Sequence, residues 1–132
     1  MTNQEIYDKV CKHLAQQKRR AVDSTFGLCR YRLGELKCAV GALIPDECYS
    51  EDFEELAVSE VPGIIDAIFG DTSPDEMVMR LLRDLQTVHD CAVRLGKFDN
   101  MEKLHNEFKR IAAYYKLQAG AELEITEWDF TK

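Results

Sequence analysis

The chain lacks a hydrophobic run long enough to cross a membrane. Its longest strongly apolar stretch is residues 38–44, whereas a transmembrane helix needs about 20 apolar residues. Residues 1–14 are charged and amphipathic, and they do not have the apolar centre of a signal peptide. These absences predict a cytoplasmic protein that has no membrane partner.

Positive charge is missing from the middle of the chain. Residues 38–79 contain no Lys or Arg and 11 Asp or Glu. Residues 1–37 have eight basic and four acidic side chains, residues 80–132 have nine of each, and the formal net charge is −7. A surface of one charge sign attracts a basic partner and repels nucleic acid. We therefore predict a basic protein as the partner and no direct contact with nucleic acid; the alternative is a face that serves only solubility.

Familiar cofactor and metal motifs are also missing. The chain has no P-loop, dinucleotide fingerprint, H-E-x-x-H pair, EF-hand loop or C-x-x-C pair. An odd number of cysteines without paired spacing is a poor disulfide framework, and reduced cysteines mostly behave as small buried hydrophobes. We predict no cofactor and no metal, with Cys29, Cys38, Cys48 and one histidine as alternative zinc ligands. The five cysteines are Cys11, Cys29, Cys38, Cys48 and Cys91.

The hydrophobic pattern of residues 28–38 predicts a β-hairpin. Apolar and polar side chains alternate over residues 28–33, as in a half-buried strand. Gly34 then stands at the first central position of a two-residue loop, where a type II′ turn prefers glycine. In this register Tyr31 faces Cys38 across the hairpin.

Helical signals cover much of the remaining chain. Thr2 and Glu5 have capping-box spacing in front of a helix over residues 3–17. Ser73 followed by Pro74 predicts the start of a helix that reaches about residue 93. Further helical segments are expected over residues 39–44 before Pro45, after Ser50, over residues 64–69 before Gly70, and over residues 100–117.

The length and the order of these elements predict one α+β domain over residues 1–132. Four to five helices are expected to pack on a small antiparallel sheet. Residues 122–129 contain alternating apolar positions, which predicts a C-terminal strand that pairs with the hairpin.

The acidic segment, residues 46–60, is the predicted partner-binding site. Its carboxylates would meet a basic protein surface, or would occupy a DNA-binding groove in place of phosphates. Tyr49 adds an aromatic side chain of the kind that anchors interfaces. The residues predicted to bind the partner are Asp46, Glu47, Tyr49, Glu51, Asp52, Glu54 and Glu55.

Two alternative functions remain open at this level. Cys38 with His89 as base would make a cysteine-dependent hydrolase or transferase, although an apolar neighbourhood around Cys38 favours a buried, inert thiol. Asp90 is not expected to orient the His89 ring, because adjacent helical residues point about 100° apart. The second alternative is a small-molecule or nucleotide sensor, with a pocket between the hairpin and the helices.

The chain resembles a family of small, uncharacterised proteins encoded by phages and prophages. The resemblance lies in residues 29–31, in the run from Leu36 to Glu47 (LKCAVGALIPDE) with Tyr49, and in Leu85-Gln86 with His89-Asp90. It implies a phage-type accessory protein that acts on the defence or takeover machinery of a host cell, with the host cytosol as its location. The region after residue 99 does not share the resemblance.

Overall fold

The computed structural model describes residues 1–23, 25, 27–70 and 72–131, and it confirms an α+β fold. Four α-helices pack beside two separate antiparallel sheets of two strands each. In chain order the elements are α1 (Asn3–Gln17), β1 (Val22–Asp23), β2 (Leu28–Cys29), β3 (Arg32–Leu33), β4 (Leu36–Lys37), α2 (Pro62–Phe69), α3 (Glu76–Cys91) and α4 (Met101–Tyr114). No helix within the described residues is long and apolar enough to span a membrane.

Helix α1 has the predicted boundaries and the predicted capping box. The Thr2 hydroxyl accepts a hydrogen bond from the Glu5 N–H at 3.1 Å, and the Glu5 carboxylate accepts one from the Thr2 N–H at 2.9 Å. These bonds satisfy two of the backbone donors that a helix start leaves unpaired. The apolar side of α1 is fully buried and includes Ile6, Val10 and Leu14.

The predicted hairpin is present, and its register is confirmed. Strands β3 and β4 pair Leu33 with Leu36, and the Cys38 N–H donates to the Tyr31 carbonyl at 3.2 Å. Gly34 has a φ of 60°, which is the conformation that favours glycine at this turn position.

The single strand predicted over residues 28–33 is wrong, because the strand is divided after Cys29. Strand β2 pairs with β1, a strand that the hairpin prediction did not include. The backbone N–H groups of Tyr31 and Arg32 donate to the Glu54 carboxylate and not to a neighbouring strand. A side chain from outside the hairpin therefore interrupts the ladder.

The later helices keep their predicted order but begin or end at different residues. Pro62 is the first residue of α2, and Gly70 follows the last. The N-cap of α3 is Asp75 and not Ser73, since the Asp75 carboxylate accepts a hydrogen bond from the Val78 N–H at 2.9 Å. Helix α3 stops at Cys91 and α4 at Tyr114, both earlier than expected.

The predicted C-terminal strand is wrong. Residues Ala121–Glu124 form a short 3₁₀ helix, in which Glu122 is fully buried and Leu123 is exposed. The predicted strand would instead have buried Leu123 and exposed Glu122. The tail after it packs on the helices, with the Trp128 indole donating to the Ala92 carbonyl at 2.7 Å.

The two ends of the described chain meet at α1. The Gln4 side-chain amide donates to the Gln118 carbonyl at 3.1 Å, and the Gln118 N–H donates to the Gln4 side-chain oxygen at 2.7 Å. The Asp129 N–H donates to the Lys18 carbonyl at the other end of α1. Buried apolar residues of α1, α3, α4 and residues 38–44 form one core cluster.

Candidate functional site

The acidic segment is not a surface of one charge sign, because the hairpin brings cations to it. Arg32 forms an ion pair with Asp46 at 2.7 Å, and Lys37 lies 3.4 Å from the same carboxylate. The hydrogen bond from Arg32, followed by the charge of Lys37, lowers the pKa of Asp46. Arg30 forms a second pair, with Glu51, at 2.7 Å. Asp46 and Glu51, both predicted partner-binding acids, are therefore already matched by cations within the protein.

Glu54 belongs to the interior of this region and not to a contact surface. Only 8% of its side chain is exposed. One carboxylate oxygen accepts from the Tyr31 N–H at 2.9 Å, and the other accepts from the Arg32 N–H at 3.2 Å and from the Tyr49 hydroxyl. The prediction that Glu54 meets a partner therefore needs correction, because its oxygens already hold the hairpin backbone.

Tyr49 is half-buried and takes part in the same structure. Its ring lies edge-to-face on Phe53, with centroids 6.1 Å apart, and the Arg32 guanidinium sits 5.4 Å from the ring centre. Burial, followed by the hydrogen bond to Glu54, raises the pKa of Tyr49 to about 12. The Tyr49 side chain thus holds the acidic segment against the hairpin, and only part of its surface is exposed to solvent.

Three predicted site residues remain available to a partner, and we call them the acidic surface: Glu47, Asp52 and Glu55. All three are exposed. Within residues 1–23, 25, 27–70 and 72–131, none of their carboxylates forms an ion pair or a hydrogen bond. Glu60 is also exposed, but one of its oxygens accepts from the Ala57 N–H.

Cys38 lies in the core and does not have the environment of a nucleophile. It is fully buried, and its sulfur accepts a hydrogen bond from the Gly41 N–H at 3.2 Å. Burial raises the pKa of the Cys38 thiol, so the thiol stays protonated near neutral pH. A neutral, enclosed thiol is a poor nucleophile.

Both ring nitrogens of His89 are occupied by hydrogen bonds. The Ala21 N–H donates to Nε2 at 3.0 Å, so the proton of a neutral ring must sit on Nδ1, which donates to the Asp90 carboxylate at 2.8 Å. The expectation that Asp90 does not orient the ring is wrong, because its carboxylate accepts this hydrogen bond although the two residues are adjacent in α3. No nitrogen is left to take a proton from Cys38.

Cys29, His89 and Asp90 are the one group of potential metal ligands among the described residues, with ligand atoms within 4.8 Å of one another. The donor set does not fit a metal. His89 has no spare lone pair, because Nε2 already accepts a backbone hydrogen bond. Burial, followed by the charge of Asp90, raises the pKa of the Cys29 thiol to about 12. The alternative zinc ligands Cys29, Cys38 and Cys48 do not form such a group with a histidine among the described residues.

The His89 group instead joins three segments of the chain through a continuous set of hydrogen bonds. Gln86 donates to Asp90 at 2.7 Å and accepts from the Val40 N–H at 3.0 Å. Helix α3 is thereby linked to the backbone at Ala21 and at Val40. Sequence reasoning did not assign a role to Gln86, because an isolated glutamine in a helix has no pattern that identifies its partner.

A cleft of about 750 Å³ lies between the hairpin region, residues 55–58 and α3. This is the place where the sensor hypothesis expected a pocket. Its charged lining residues are Arg30, Glu55, Arg83 and Asp90. The remaining lining residues are Gly27, Leu28, Cys29, Tyr31, Cys38, Leu56, Ala57, Val58, Gln86 and Thr87.

Comparison of the chain with protein-family models, with curated proteins and with solved structures gives no match. Function is therefore inferred from the geometry of the acidic surface, of the Cys38 and His89 environment, and of the cleft.

The thiols should differ sharply in their reaction with iodoacetamide near neutral pH. We expect Cys48, which is exposed, to react in the native protein, and Cys38 to react only after unfolding. Mass spectrometry of digested protein would locate the label. A Cys48→Ser variant serves as the control and should lose the fast reaction. Rapid native labelling of Cys38 would contradict the buried, neutral thiol and would favour the cysteine-enzyme alternative.

Proposed function

We propose that the protein is a non-enzymatic binding protein whose acidic surface engages a basic protein. The observation that supports this proposal is the exposure of Glu47, Asp52 and Glu55 without a cation of their own among the described residues. Their neighbours Asp46 and Glu51 have paired cations. The three unpaired carboxylates are the part of the segment in which a partner's Lys or Arg would gain a new ion pair.

Long-range charge favours the same class of partner. The formal net charge of the chain is −7, and an acidic protein approaches a basic surface faster than a neutral one does, with a rate that falls as salt is added. A protein that normally binds nucleic acid has such a surface. The resemblance to phage-encoded proteins adds the proposal that the partner is a host factor, such as a defence protein whose DNA-binding groove the acids would occupy.

The environment of Cys38 gives the enzyme alternative no support. Catalysis would need a thiolate and a base with a free nitrogen. The Cys38 thiol is enclosed and neutral, and His89 uses both nitrogens to hold Ala21 and Asp90. Binding is therefore the better account of the geometry.

Reversal of two surface charges tests the proposal. We expect the double variant Glu47→Lys with Asp52→Lys to lose capture of a basic protein from the cells that produce the chain. Glu54 stays unchanged because it supports the hairpin. The matched control is Glu102→Lys with Glu124→Lys, which changes the net charge equally at exposed positions elsewhere. Quantitative mass spectrometry of the captured proteins would give the comparison.

Salt and DNA provide two further readouts of the same capture experiment. Capture by the wild-type protein should weaken as ionic strength rises from about 0.05 to about 0.5 M, because screening shortens the reach of surface charges. Duplex DNA should displace the partner if the acids occupy a DNA-binding groove. Equal capture by the reversed variant and the wild type would refute the role of the acidic surface.

A further inference from the structure

The cleft has an apolar lining that remains open to solvent. Leu28 and Leu56 contribute to its walls and are 49% and 43% exposed. Tyr31 and Val58 line it from the buried side, and the Tyr31 hydroxyl donates to the Leu56 carbonyl, which fixes one wall to the hairpin. An open cavity that combines apolar walls with a few polar groups is the usual form of a small-molecule site.

Two of the four charged groups in the cleft already have partners within the protein. Arg30 pairs with Glu51 at 2.7 Å and lies 3.8 Å from Glu54. Asp90 accepts hydrogen bonds from the His89 ring and from the Gln86 amide. Arg30 therefore has its charge balanced within the protein, and one oxygen of Asp90 is occupied by two hydrogen bonds from neutral donors.

The other two charges are not matched. Arg83 projects from α3 and Glu55 from the loop wall, and both are exposed. In the part of the chain that the structure describes, neither side chain makes a hydrogen bond or an ion pair. Among the described residues that line the cleft, Arg83 is thus a cation and Glu55 an anion whose side chains have no partner, and they lie on different walls beside apolar surface.

We propose that this cleft binds a small zwitterion with an apolar body, of the size of an apolar dipeptide or tripeptide with free ends. The ligand carboxylate pairs with Arg83, the ligand ammonium pairs with Glu55, and the apolar side chains contact Leu28 and Leu56. The volume of about 750 Å³ lies within the range of about 300–1,000 Å³ that is typical of ligand sites. Glu55 belongs both to the acidic surface and to the cleft, whereas Glu47 and Asp52 do not line the cleft, so the two proposals can be tested by different substitutions.

Isothermal titration calorimetry with leucyl-phenylalanine tests the proposal. The free dipeptide should bind saturably, and its N-acetylated form and its C-terminal amide should each bind more weakly. Free phenylalanine is the arm that distinguishes an amino acid from a peptide as the source of the zwitterion. The loss of one charge-assisted contact is expected to weaken binding roughly tenfold.

Variants assign each end of the ligand to its partner. Arg83→Gln should weaken binding of the free dipeptide roughly tenfold and remove its advantage over the C-terminal amide. Glu55→Gln should remove its advantage over the N-acetylated form. Arg94→Gln, an exposed arginine outside the cleft, is the matched control and should bind as the wild type does. Thr87→Trp places a large side chain at an exposed cleft position and should abolish binding.

The outcomes separate the proposal from its alternatives. Undiminished binding to Thr87→Trp would place the ligand elsewhere and overturn the proposal. It would also be overturned if neither the dipeptide nor phenylalanine binds saturably at millimolar concentration, or if Arg83→Gln and Glu55→Gln keep the wild-type preferences. The Glu47→Lys with Asp52→Lys variant should retain dipeptide binding, so failure of the cleft and failure of the acidic surface are distinguishable.

Discussion

Replacement of Glu54 by glutamine should lower the free energy of unfolding by about 3 kcal/mol or more. The carboxylate accepts hydrogen bonds at both oxygens, from the N–H groups of Tyr31 and Arg32 and from the Tyr49 hydroxyl. A glutamine keeps one acceptor oxygen but replaces the other with an NH₂ group, which cannot accept a hydrogen bond from a backbone N–H. At least one backbone N–H then loses its partner where only 8% of the Glu54 side chain is exposed. Urea denaturation followed by circular dichroism would measure the loss.

The neighbouring Glu55→Gln variant is the control for this effect. Glu55 is exposed and makes no side-chain hydrogen bond within the described residues, so its replacement should change stability by no more than about 0.5 kcal/mol. If Glu54→Gln is as stable as Glu55→Gln, then the carboxylate does not hold the hairpin backbone in solution.

Replacement of Gly41 by alanine should lower the free energy of unfolding by about 3 kcal/mol or more, or should prevent folding. A Cβ atom at this position would lie 2.0 Å from the Tyr31 carbonyl oxygen. That oxygen cannot retreat easily, because it accepts the Cys38 N–H at the end of the hairpin. The clash would therefore separate the hairpin from the turn at Gly41–Leu43. Thermal unfolding of the purified variant, or its recovery in the insoluble fraction, would show the effect.

Gly63→Ala is the matched glycine control. Its Cβ would lie 2.9 Å from the Phe53 ring, and a side chain can move where a backbone carbonyl cannot. Alanine is also a better helix former than glycine within α2, by about 1 kcal/mol. This gain offsets part of the free-energy cost of moving the Phe53 ring. We expect a change below about 1 kcal/mol, and a Gly41→Ala variant as stable as this control would show that the hairpin has room to shift.

Features set by neighbours in sequence could be predicted well. The boundaries of α1 follow from the capping box at Thr2 and from the period of its apolar residues, and the hairpin register follows from Gly34. In each case the deciding interaction joins residues only a few positions apart. The burial of His89 was likewise predictable, because it lies on the same helical face as Leu85.

Features set by distant residues could not be predicted in this way. Glu54 has no property in the sequence that separates it from the exposed Glu55, yet it replaces a strand as the partner of the Tyr31 and Arg32 backbone. The charge pattern along the chain suggested an acidic block without cations, and folding places Arg30 and Arg32 against it. Linear charge counting does not show which segments the fold brings together.

The alternation of apolar residues near the C-terminus illustrates a second limit. Leu123 and Ile125 suggested a strand face, whereas the structure buries Glu122 and Ile125 and exposes Leu123. Glu122 and Ile125 are three positions apart, and this spacing brings two side chains to the same side of a 3₁₀ helix. The tail follows the shape of α1 and α4, which the local sequence does not encode.

The contacts at both ends of α1 constrain when this chain can fold during synthesis. Helix α1 leaves the ribosome before the other described elements, but Gln4 bonds to Gln118 and the Lys18 carbonyl accepts from Asp129. Contacts between such distant positions slow folding, because the intervening chain must be ordered before they form. The apolar face of α1 therefore stays uncovered by its C-terminal partners until nearly the whole described chain has been translated. We expect the yield of this protein to depend on translation rate and on chaperones that shield exposed helices over that interval.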